Sequence, residues 1–320
     1  MSTEALAFSS APARRALNGP AMGARWSAVF YAGDGLDEAA LARRLQDAVD
    51  AVEAEMSPWR RDSDVERLNR VAVGVWTPLP RNLFRVLEAA LEIGDLSGGA
   101  FDVGVGDLVE AWGLGAGSRT PNPAAIATLT GRASFLPPKA LQLDPAAGRA
   151  RRLAPLRIDL SAIAKGFGVD ELARVMTAFG LSSWLVGIDG ELRAAGAKPE
   201  GRPWSVGHER PSRKARALMG VLELRDCAVA TSGNYRHVVE AGGRTVSHTM
   251  DPRRRAPLDN DLASVTVLAP TAMAADGWAT ALMALGCERG ARLAGRLGLR
   301  AVFVTNDGAV VASEGFDASR

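Results

Sequence analysis

The sequence predicts an α+β fold in which helices flank a mainly antiparallel sheet within one interlocked domain. Amphipathic helical segments are interspersed with short strand-like segments, and several neighbouring strand segments are joined by turns typical of hairpins. No internal repeat, low-complexity block or Pro- or Ser-rich linker divides the 320 residues. We therefore expect a single domain over residues 21–315, preceded by a disordered leader at residues 1–20.

The first third of the chain is expected to contain one strand and two long helices. Arg25–Tyr31 has the composition of a strand. Apolar residues recur at helical spacing over 37–56, where Asp37 can cap the first turn, and again over 81–96. Gly98 is a typical helix stop, and it opens a glycine-rich segment that permits close approach of the backbone to a ligand.

Short strands are expected to dominate from residue 141 onward, interrupted by helices over 271–285 and 288–297. The linker 240–244 and the tripeptide Asn306-Asp307-Gly308 predict two hairpins. The predicted strands cover residues 141–143, 156–160, 183–188, 204–206, 219–224, 237–239, 245–249, 263–268, 301–305 and 309–312.

Composition excludes several classes of protein. Hydrophobic residues make up 47% and charged residues 23% of the chain, which is typical of a globular protein and not of a disordered one. The formal net charge of +2 argues against a nucleic-acid binder, because neutralising many phosphates needs a concentrated basic surface. No segment approaches the roughly twenty apolar residues of a membrane-spanning helix.

The cysteines and histidines do not suggest a soft-metal site or a disulfide framework. Cys227 and Cys287 are sixty residues apart and have no CxxC spacing, and the three histidines are far apart in the chain. Residues 1–20 contain no apolar core of signal-peptide length, and no cysteine near them could carry a lipid anchor. The sequence as given therefore predicts a cytoplasmic protein, or a periplasmic one if a leader was removed.

The stretch 157–175, RIDLSAIAKGFGVDELARV, is the first candidate for a ligand site. Asp159 lies where a predicted strand ends, and Lys165 lies where an amphipathic helix begins. The first turn of a helix offers free N–H groups and a positive dipole to an anion, so the pattern favours a bound phosphate. An ordinary strand-to-helix connection with a solvated lysine would show the same residues.

The segment AADGWATAL places Asp276 and Thr280 four residues apart and therefore on one face of the predicted helix 271–285. A carboxylate and a hydroxyl are oxygen ligands that suit a hard cation such as Mg2+. A local hydrogen bond on a solvated face is the alternative. The neighbouring alanines make a solvated face less natural, because an aspartate on an apolar helix needs a partner.

His248 lies at the end of a predicted strand in VSHTMDP and is a candidate base, since an ordinary histidine pKa near 6.5 suits proton removal at neutral pH. A histidine bonded to the backbone at a strand end is the alternative. The predicted loop 230–236, ATSGNYR, could supply backbone donors to a phosphate or be a plain turn. Met22, Trp59 and Phe101 lie near turns where a flat ring could stack, although core packing would explain each of them as well.

Seven segments in a fixed order resemble the ApbE family, flavin transferases that move FMN from FAD onto a protein. The resemblance runs from about residue 22 to residue 286. The segments are MGARWSAVF from Met22, EMSPWRRDSDVERLN from Glu55, SGGAFDVGVGDLVEAWGLG from Ser97, IDLSAIAKGFGVDELA from Ile158, ATSGNYR from Ala230, SHTMDP from Ser247 and AADGWATALMALG from Ala274.

The resemblance implies an FAD site with Mg2+ bridging the pyrophosphate. It implies that Asp276, Thr280 and the backbone carbonyl of Ala162 hold the metal, and that His248 is the base. An acceptor Thr or Ser hydroxyl of a partner flavoprotein would attack the FMN phosphorus in line, and AMP would leave. The implied FAD contacts are Met22, Trp59, Ala100, Phe101, Asp102, Asp159, Lys165 and Thr249.

The chain departs from the family's pattern at several of these positions. Arg253-Arg254-Arg255 replaces the Arg-Thr-Gly that usually follows Asp-Pro, which changes the turn beside the implied base. Trp59 stands where tyrosine is common, Gly104 and Asp107 where Thr and Pro are frequent, and Gly277-Trp278 where Ala-Leu is frequent. A glycine inside a helix costs about 1 kcal/mol relative to alanine.

Other functions remain open at this stage. An FAD pyrophosphatase would use water as the acceptor, and a non-catalytic FAD-binding or flavin-storage protein would keep the pocket without turnover. A nicotinamide or flavin oxidoreductase is less favoured, because the G-x-G-x-x-G fingerprint of dinucleotide-binding folds does not occur in the glycine-rich segment.

Overall fold

The protein is described here by a computed structural model that covers residues 11–117, 120–130, 140–212, 217–234, 238–241 and 244–316. The helices in these ranges are α1 (Glu38–Met56), α2 (Asp64–Arg70), α3 (Arg81–Leu96), α4 (Gly106–Ala111), α5 (Pro123–Thr130), α6 (Ala164–Ala178), α7 (Ala272–Leu285) and α8 (Cys287–Leu297). The strands are β1 (Ala13–Ala21), β2 (Ala24–Ala32), β3 (Thr77–Pro78), β4 (Leu141–Asp144), β5 (Arg149–Arg152), β6 (Trp184–Ile188), β7 (Glu191–Ala195), β8 (Trp204–Glu209), β9 (Leu218–Leu224), β10 (Ala228–Gly233), β11 (Val238–Ala241), β12 (Arg244–Ser247), β13 (Met250–Asp251), β14 (Ala256–Pro257), β15 (Leu262–Ala269), β16 (Arg300–Thr305) and β17 (Val310–Ala312).

An eight-stranded sheet organises the molecule, with the strand order β1-β2-β6-β7-β10-β15-β16-β17. Every neighbouring pair in it is antiparallel. Helices α6 and α7 pack on one face, and the two-stranded β8–β9 hairpin packs on the other. The predicted α+β class with a mainly antiparallel sheet and flanking helices is confirmed.

The long helices and both hairpins form as predicted. Helix α1 begins after Asp37, whose Oδ1 accepts a hydrogen bond from Ala40 N at 2.8 Å. Helix α3 has the predicted bounds, and Gly98 behind it takes a φ of +63°. Strand β11 pairs with β12, and β16 pairs with β17 across the Asn-Asp-Gly turn. Strong amphipathic periodicity and turn chemistry were sufficient signals for these elements.

The predicted leader is wrong for residues 13–20, which form most of strand β1, while residues 1–10 lie outside the described residues. Strand β1 pairs with β2 along its whole length through a turn in which Met22 and Gly23 both have positive φ. Pro20 is tolerated because β1 is an edge strand, where a missing N–H need not break the sheet. Strand β1 has few apolar residues, so the hydrophobic pattern of the sequence did not predict it.

Two predictions in the middle of the chain are also wrong. Residues 156–160 form no strand, because their backbone groups bond to a side chain and a loop: Ile158 N donates to Asn69 Oδ1, and Asp159 N donates to Val103 O, both at 2.8 Å. The predicted loop 230–236 begins as the end of β10, near the centre of the sheet. Its last two positions, 235 and 236, lie outside the described residues, as does residue 237, where the next predicted strand starts.

The start of α6 meets α7 through a contact that only glycine allows. A Cβ atom on Gly166 would lie 2.4 Å from the carbonyl oxygen of Ala272. At Gly277 a Cβ would lie 2.6 Å from the Cδ1 atom of Ile93, the end of a side chain that can move aside, so the close packing there is less restrictive than at Gly166. None of the helices in the described ranges has the length and hydropathy needed to span a membrane.

Candidate active site

A cavity of about 590 Å³ opens where strand β10 ends, and residues from both faces of the sheet line it. It brings together sequence positions from 58 to 280. Of the site residues that the sequence suggested, Met22 alone does not line this cavity. The residues that line it are Trp59, Ala100, Phe101, Asp102, Asp159, Ala162, Lys165, His248, Thr249, Asp276 and Thr280. Their individual roles remain predictions, but their convergence on one cavity is a structural fact.

Asp276 lies at the junction of α6 and α7 and is 6% exposed. Its Oδ2 atom accepts a hydrogen bond from the Gly166 backbone N at 3.0 Å, which the close helix contact makes possible. Burial raises the pKa of Asp276 well above its usual range, Glu191 raises it further, and Lys165 opposes both effects. The carboxylate therefore sits where a cation would strongly favour its charged form.

Lys165 reaches the same side of the cavity and is held by two acids. Its Nζ lies 3.4 Å from Asp189 Oδ2 and 3.5 Å from Glu191 Oε1. Burial alone would lower the pKa of Lys165, but Glu191, Asp276 and Asp189 raise it above its usual value, so it carries a positive charge at neutral pH. A half-buried ammonium on the wall of a cavity suits an anionic ligand.

Glu191 and Asp189 were not singled out from the sequence. Glu191 is 6% exposed, burial raises its pKa, and its Oε2 atom has no hydrogen-bond partner among the described residues. Asp189 takes a φ of +53° in the turn between β6 and β7. The only sequence signal was an acidic pair around Gly190 after an apolar strand, which resembles many ordinary turns.

Thr280 lies one helical turn beyond Asp276, and its Oγ1 is 3.0 Å from Ser232 Oγ on β10. Within the described ranges, no three His, Cys, Asp or Glu side chains come together as a metal-binding group. The predicted set instead combines one carboxylate, one hydroxyl and the Ala162 carbonyl. Hard oxygen donors beside a buried carboxylate fit Mg2+, which completes its shell with water and phosphate oxygens.

The aromatic residues differ in what they can offer a ligand. Trp59 is 57% exposed at the cavity wall, so its ring is free to stack. Ala100 and Phe101 are each 2% exposed and belong to the main hydrophobic core. Met22 does not line the cavity. Its methyl group packs against Gly168, where an added Cβ would lie 2.9 Å from it, and its backbone N donates to Glu53 Oε1.

Two further carboxylates line the cavity on loops. Burial raises the pKa of Asp102 to about 6, although the Gly104 N–H and the charge of Arg255 both lower it. Asp159 Oδ1 accepts a hydrogen bond from Ser161 N at 2.8 Å, which orders the turn before α6. Since Asp159 does not follow a strand, its position comes from this loop and not from a sheet edge.

His248 and Thr249 follow β12 in a turn, and both are half-buried. Thr249 N donates to Ser247 Oγ at 3.0 Å, and Ser247 Oγ donates to Asn234 Oδ1 at 2.5 Å. This chain of hydrogen bonds attaches the turn to the end of β10 and places the imidazole at the cavity. The location fits a base that acts on a bound ligand, as the sequence suggested.

The arginine turn, defined as residues 251–255, contains the three consecutive arginines. Asp251 Oδ1 accepts from the backbone N of Arg253 at 2.9 Å and of Arg254 at 3.3 Å. Arg253 Nη2 donates to Ala284 O at 2.8 Å, and Arg254 Nη1 donates to Asp259 O at 3.1 Å. Arg255 takes a φ of +54°, and its buried Nε has no partner among the described residues.

A protein-family model and several curated relatives match most of the chain. The model of the ApbE family matches residues 22–303. The FAD:protein FMN transferase of Klebsiella pneumoniae is 34% identical over 298 residues, covering 91% of this chain and 84% of the relative. That of Salmonella typhimurium is 33% identical over 304 residues, covering 93% and 86%.

Solved structures give the same result. The flavin transferase ApbE from Vibrio cholerae superposes with a TM-score of 0.86 at 32% identity, covering 95% of this chain and 98% of that one. The apo flavinyl transferase ApbE of Pseudomonas stutzeri superposes with a TM-score of 0.85 at 34% identity, covering 96% of each chain. The chain therefore belongs to the ApbE family.

Proposed function

We propose that this protein is an FAD:protein FMN transferase, which uses Mg2+ to move FMN from FAD onto a Thr or Ser hydroxyl of an acceptor flavoprotein and releases AMP. One observation carries the proposal: a buried carboxylate, a half-buried ammonium and an imidazole line one cavity in a chain of this family. They belong to Asp276, Lys165 and His248. The names of the relatives add the substrate and the group transferred.

The cavity supplies charge for a pyrophosphate. Lys165, held by Asp189 and Glu191, would bind a phosphate oxygen, and the Asp276 carboxylate would remain charged with a cation beside it. Asp276, Thr280 and the Ala162 carbonyl would hold Mg2+, which when bound neutralises phosphate charge during transfer. The role of the helix junction is therefore to orient the pyrophosphate.

The proposed transfer needs one proton acceptor. The acceptor hydroxyl oxygen forms a bond to the FMN phosphorus while the bond from that phosphorus to the bridging oxygen breaks. The hydroxyl proton goes to His248, and the bridging oxygen leaves with AMP. General-base assistance of this kind typically contributes about 10²- to 10⁴-fold in rate.

The test is to incubate the protein with FAD, Mg2+ and an extract of cells that lack the gene, and to measure AMP release and FMN-sized mass gain on proteins. We expect both, and both should collapse in Asp276→Ala. Asp47→Ala removes an exposed carboxylate on α1 and serves as the matched control, with activity retained. FMN and AMP released without any acceptor would identify a pyrophosphatase instead, and FAD retained without AMP would identify a storage protein.

A further inference from the structure

A second set of polar side chains reaches the cavity on the sheet face opposite the helix junction. His208 Nε2 lies 3.0 Å from Thr266 Oγ1, and Thr266 Oγ1 lies 2.8 Å from Thr231 Oγ1. His208 and Thr266 are 6% and 1% exposed, whereas Thr231 is exposed on the cavity wall. A continuous hydrogen-bonded chain therefore runs from a buried imidazole to a hydroxyl at the cavity surface.

Strand geometry explains why this chain is separate from the proposed metal site. Thr231 and Thr266 are cross-strand partners on β10 and β15, so their side chains share the face that the β8–β9 hairpin covers. The next residue, Ser232, points to the opposite face, where it meets Thr280. Four apolar residues of this face, Leu192, Val206, Leu222 and Val229, also line the cavity, and Glu209 beside His208 lines it as well.

The direction of the chain depends on one proton. Burial lowers the pKa of His208, so the imidazole is neutral at pH 7 and has one N–H and one acceptor nitrogen. If Nε2 accepts from Thr266, then Thr231 must donate to Thr266 and offers only lone pairs to the cavity. If Nε2 donates, Thr266 donates to Thr231, and the Thr231 proton is free for a ligand.

We propose that His208 is a positioning residue that, through Thr266, sets whether the Thr231 hydroxyl offers a proton or a lone pair to a ring edge of bound FAD. The inference rests on the proposed function. A flat ring bearing neighbouring N–H and carbonyl or ring-nitrogen groups fits an apolar wall with one adaptable hydroxyl. Both ring systems of FAD have this chemistry. Binding of FMN and of AMP is therefore measured separately to tell which ring contacts Thr231.

The experiment measures the Kd of FAD in the presence of Mg2+ by calorimetry for His208→Leu, Thr231→Val and the double variant. Each single change should raise the Kd about 5- to 10-fold, the loss of one net hydrogen bond. The double variant should bind no more weakly than either single variant, because breaking the chain once removes its whole effect. The kcat at saturating FAD should stay within about twofold while KM rises, since His208 acts on binding and not on the reacting atoms.

Matched variants separate this role from a structural one. His208→Gln keeps a donor and an acceptor and should restore the affinity. Ser232→Ala lies outside the chain, so its effect should multiply with that of His208→Leu. Should His208→Leu not fold in thermal unfolding, Thr231→Ser and Thr231→Val decide, and equal FAD affinity of these two variants overturns the inference.

The remaining outcomes also decide. An unchanged Kd in His208→Leu, or effects of His208→Leu and Thr231→Val that multiply, overturns the inference while leaving the proposed function intact, provided that the unsubstituted protein binds FAD and transfers FMN. Failure of the unsubstituted protein to bind FAD overturns the proposed function and this inference with it.

Discussion

The helix junction and the arginine turn line or adjoin the same cavity, but they are held in different ways. At the junction, α6 and α7 touch through backbone at Gly166, Asp276 is buried, and Lys165 is half-buried between Asp189 and Glu191. The arginine turn joins the two-residue strands β13 and β14. The side chains of Arg253 and Arg254 each attach it to one backbone carbonyl oxygen. We infer that the junction is intolerant of change, whereas the turn can vary among relatives without loss of the phosphate site.

The largest effect is expected from Gly166→Ala. The added Cβ would overlap the Ala272 carbonyl, so the helices must separate, with a loss of about 3 kcal/mol or more in the free energy of unfolding and loss of transfer. Urea denaturation measures the first effect. Gly295→Ala is the control, because a Cβ there meets nothing within 4 Å in helix α8, and it should stabilise by up to about 1 kcal/mol. Equal stability of the two variants would contradict the rigid junction.

Asp276→Asn should separate activity from stability. The amide oxygen can still accept from Gly166 N, and the buried charge is gone, so the apo protein should be as stable as the original or more so at pH 7. FMN transfer should nevertheless fall by about 100-fold or more, since a neutral amide is a poor Mg2+ ligand. Retained transfer in this variant would remove Asp276 from the proposed metal site.

Asp102 lies between the two regions and should make stability depend on pH. Its folded pKa of about 6 is above the usual 3.8, so the folded state binds the proton more tightly, and this group destabilises the protein as pH rises from about 4 to 6. Asp102→Asn should therefore flatten that part of the profile and raise the free energy of unfolding at pH 7 by about 2 to 3 kcal/mol. Urea titrations at pH 4 and pH 7 measure the free energy of unfolding of the original protein and of the variant. An unchanged pH dependence in Asp102→Asn would contradict the raised pKa of Asp102.

The smallest effect is expected in the arginine turn itself. Arg255→Gly removes a residue with positive φ and a buried Nε that lacks a partner among the described residues, so stability should rise by about 1 kcal/mol. Arg254→Gly, in contrast, removes the hydrogen bond to Asp259 O and should not stabilise. Thermal unfolding compares the two. A destabilised Arg255→Gly would show that the guanidinium holds the turn.

Much of the fold could be predicted because its long helices have strong local signals. The bounds of α3 and the cap of α1 follow from periodicity and one aspartate. Strand β10 could not be found this way, because its six residues are small or polar except Val229, and its buried first half packs against α7 and β15. The segment 156–160 has strand composition but no neighbouring strand, which only the three-dimensional arrangement reveals.

The site residues differ in the same way, because some of them have a local sequence signal and others do not. Asp276 and Thr280 could be paired from helical spacing, and Lys165 from its place at a helix start. Glu191 and His208 could not, since each reaches the cavity only because the sheet brings distant segments together. Met22 shows the reverse case: it lies in a motif of the family, yet its side chain packs on Gly168 away from the cavity.

The contact at Gly166 has a dynamic consequence. At Gly166 no side chain separates the two helix backbones, so we expect the oxygen and nitrogen atoms of the junction to keep their positions relative to each other. Little reorganisation should accompany binding of a pyrophosphate there. Adaptation to different acceptor proteins would then fall to the short strands and turns on the far side of the cavity, where local opening needs few contacts to break.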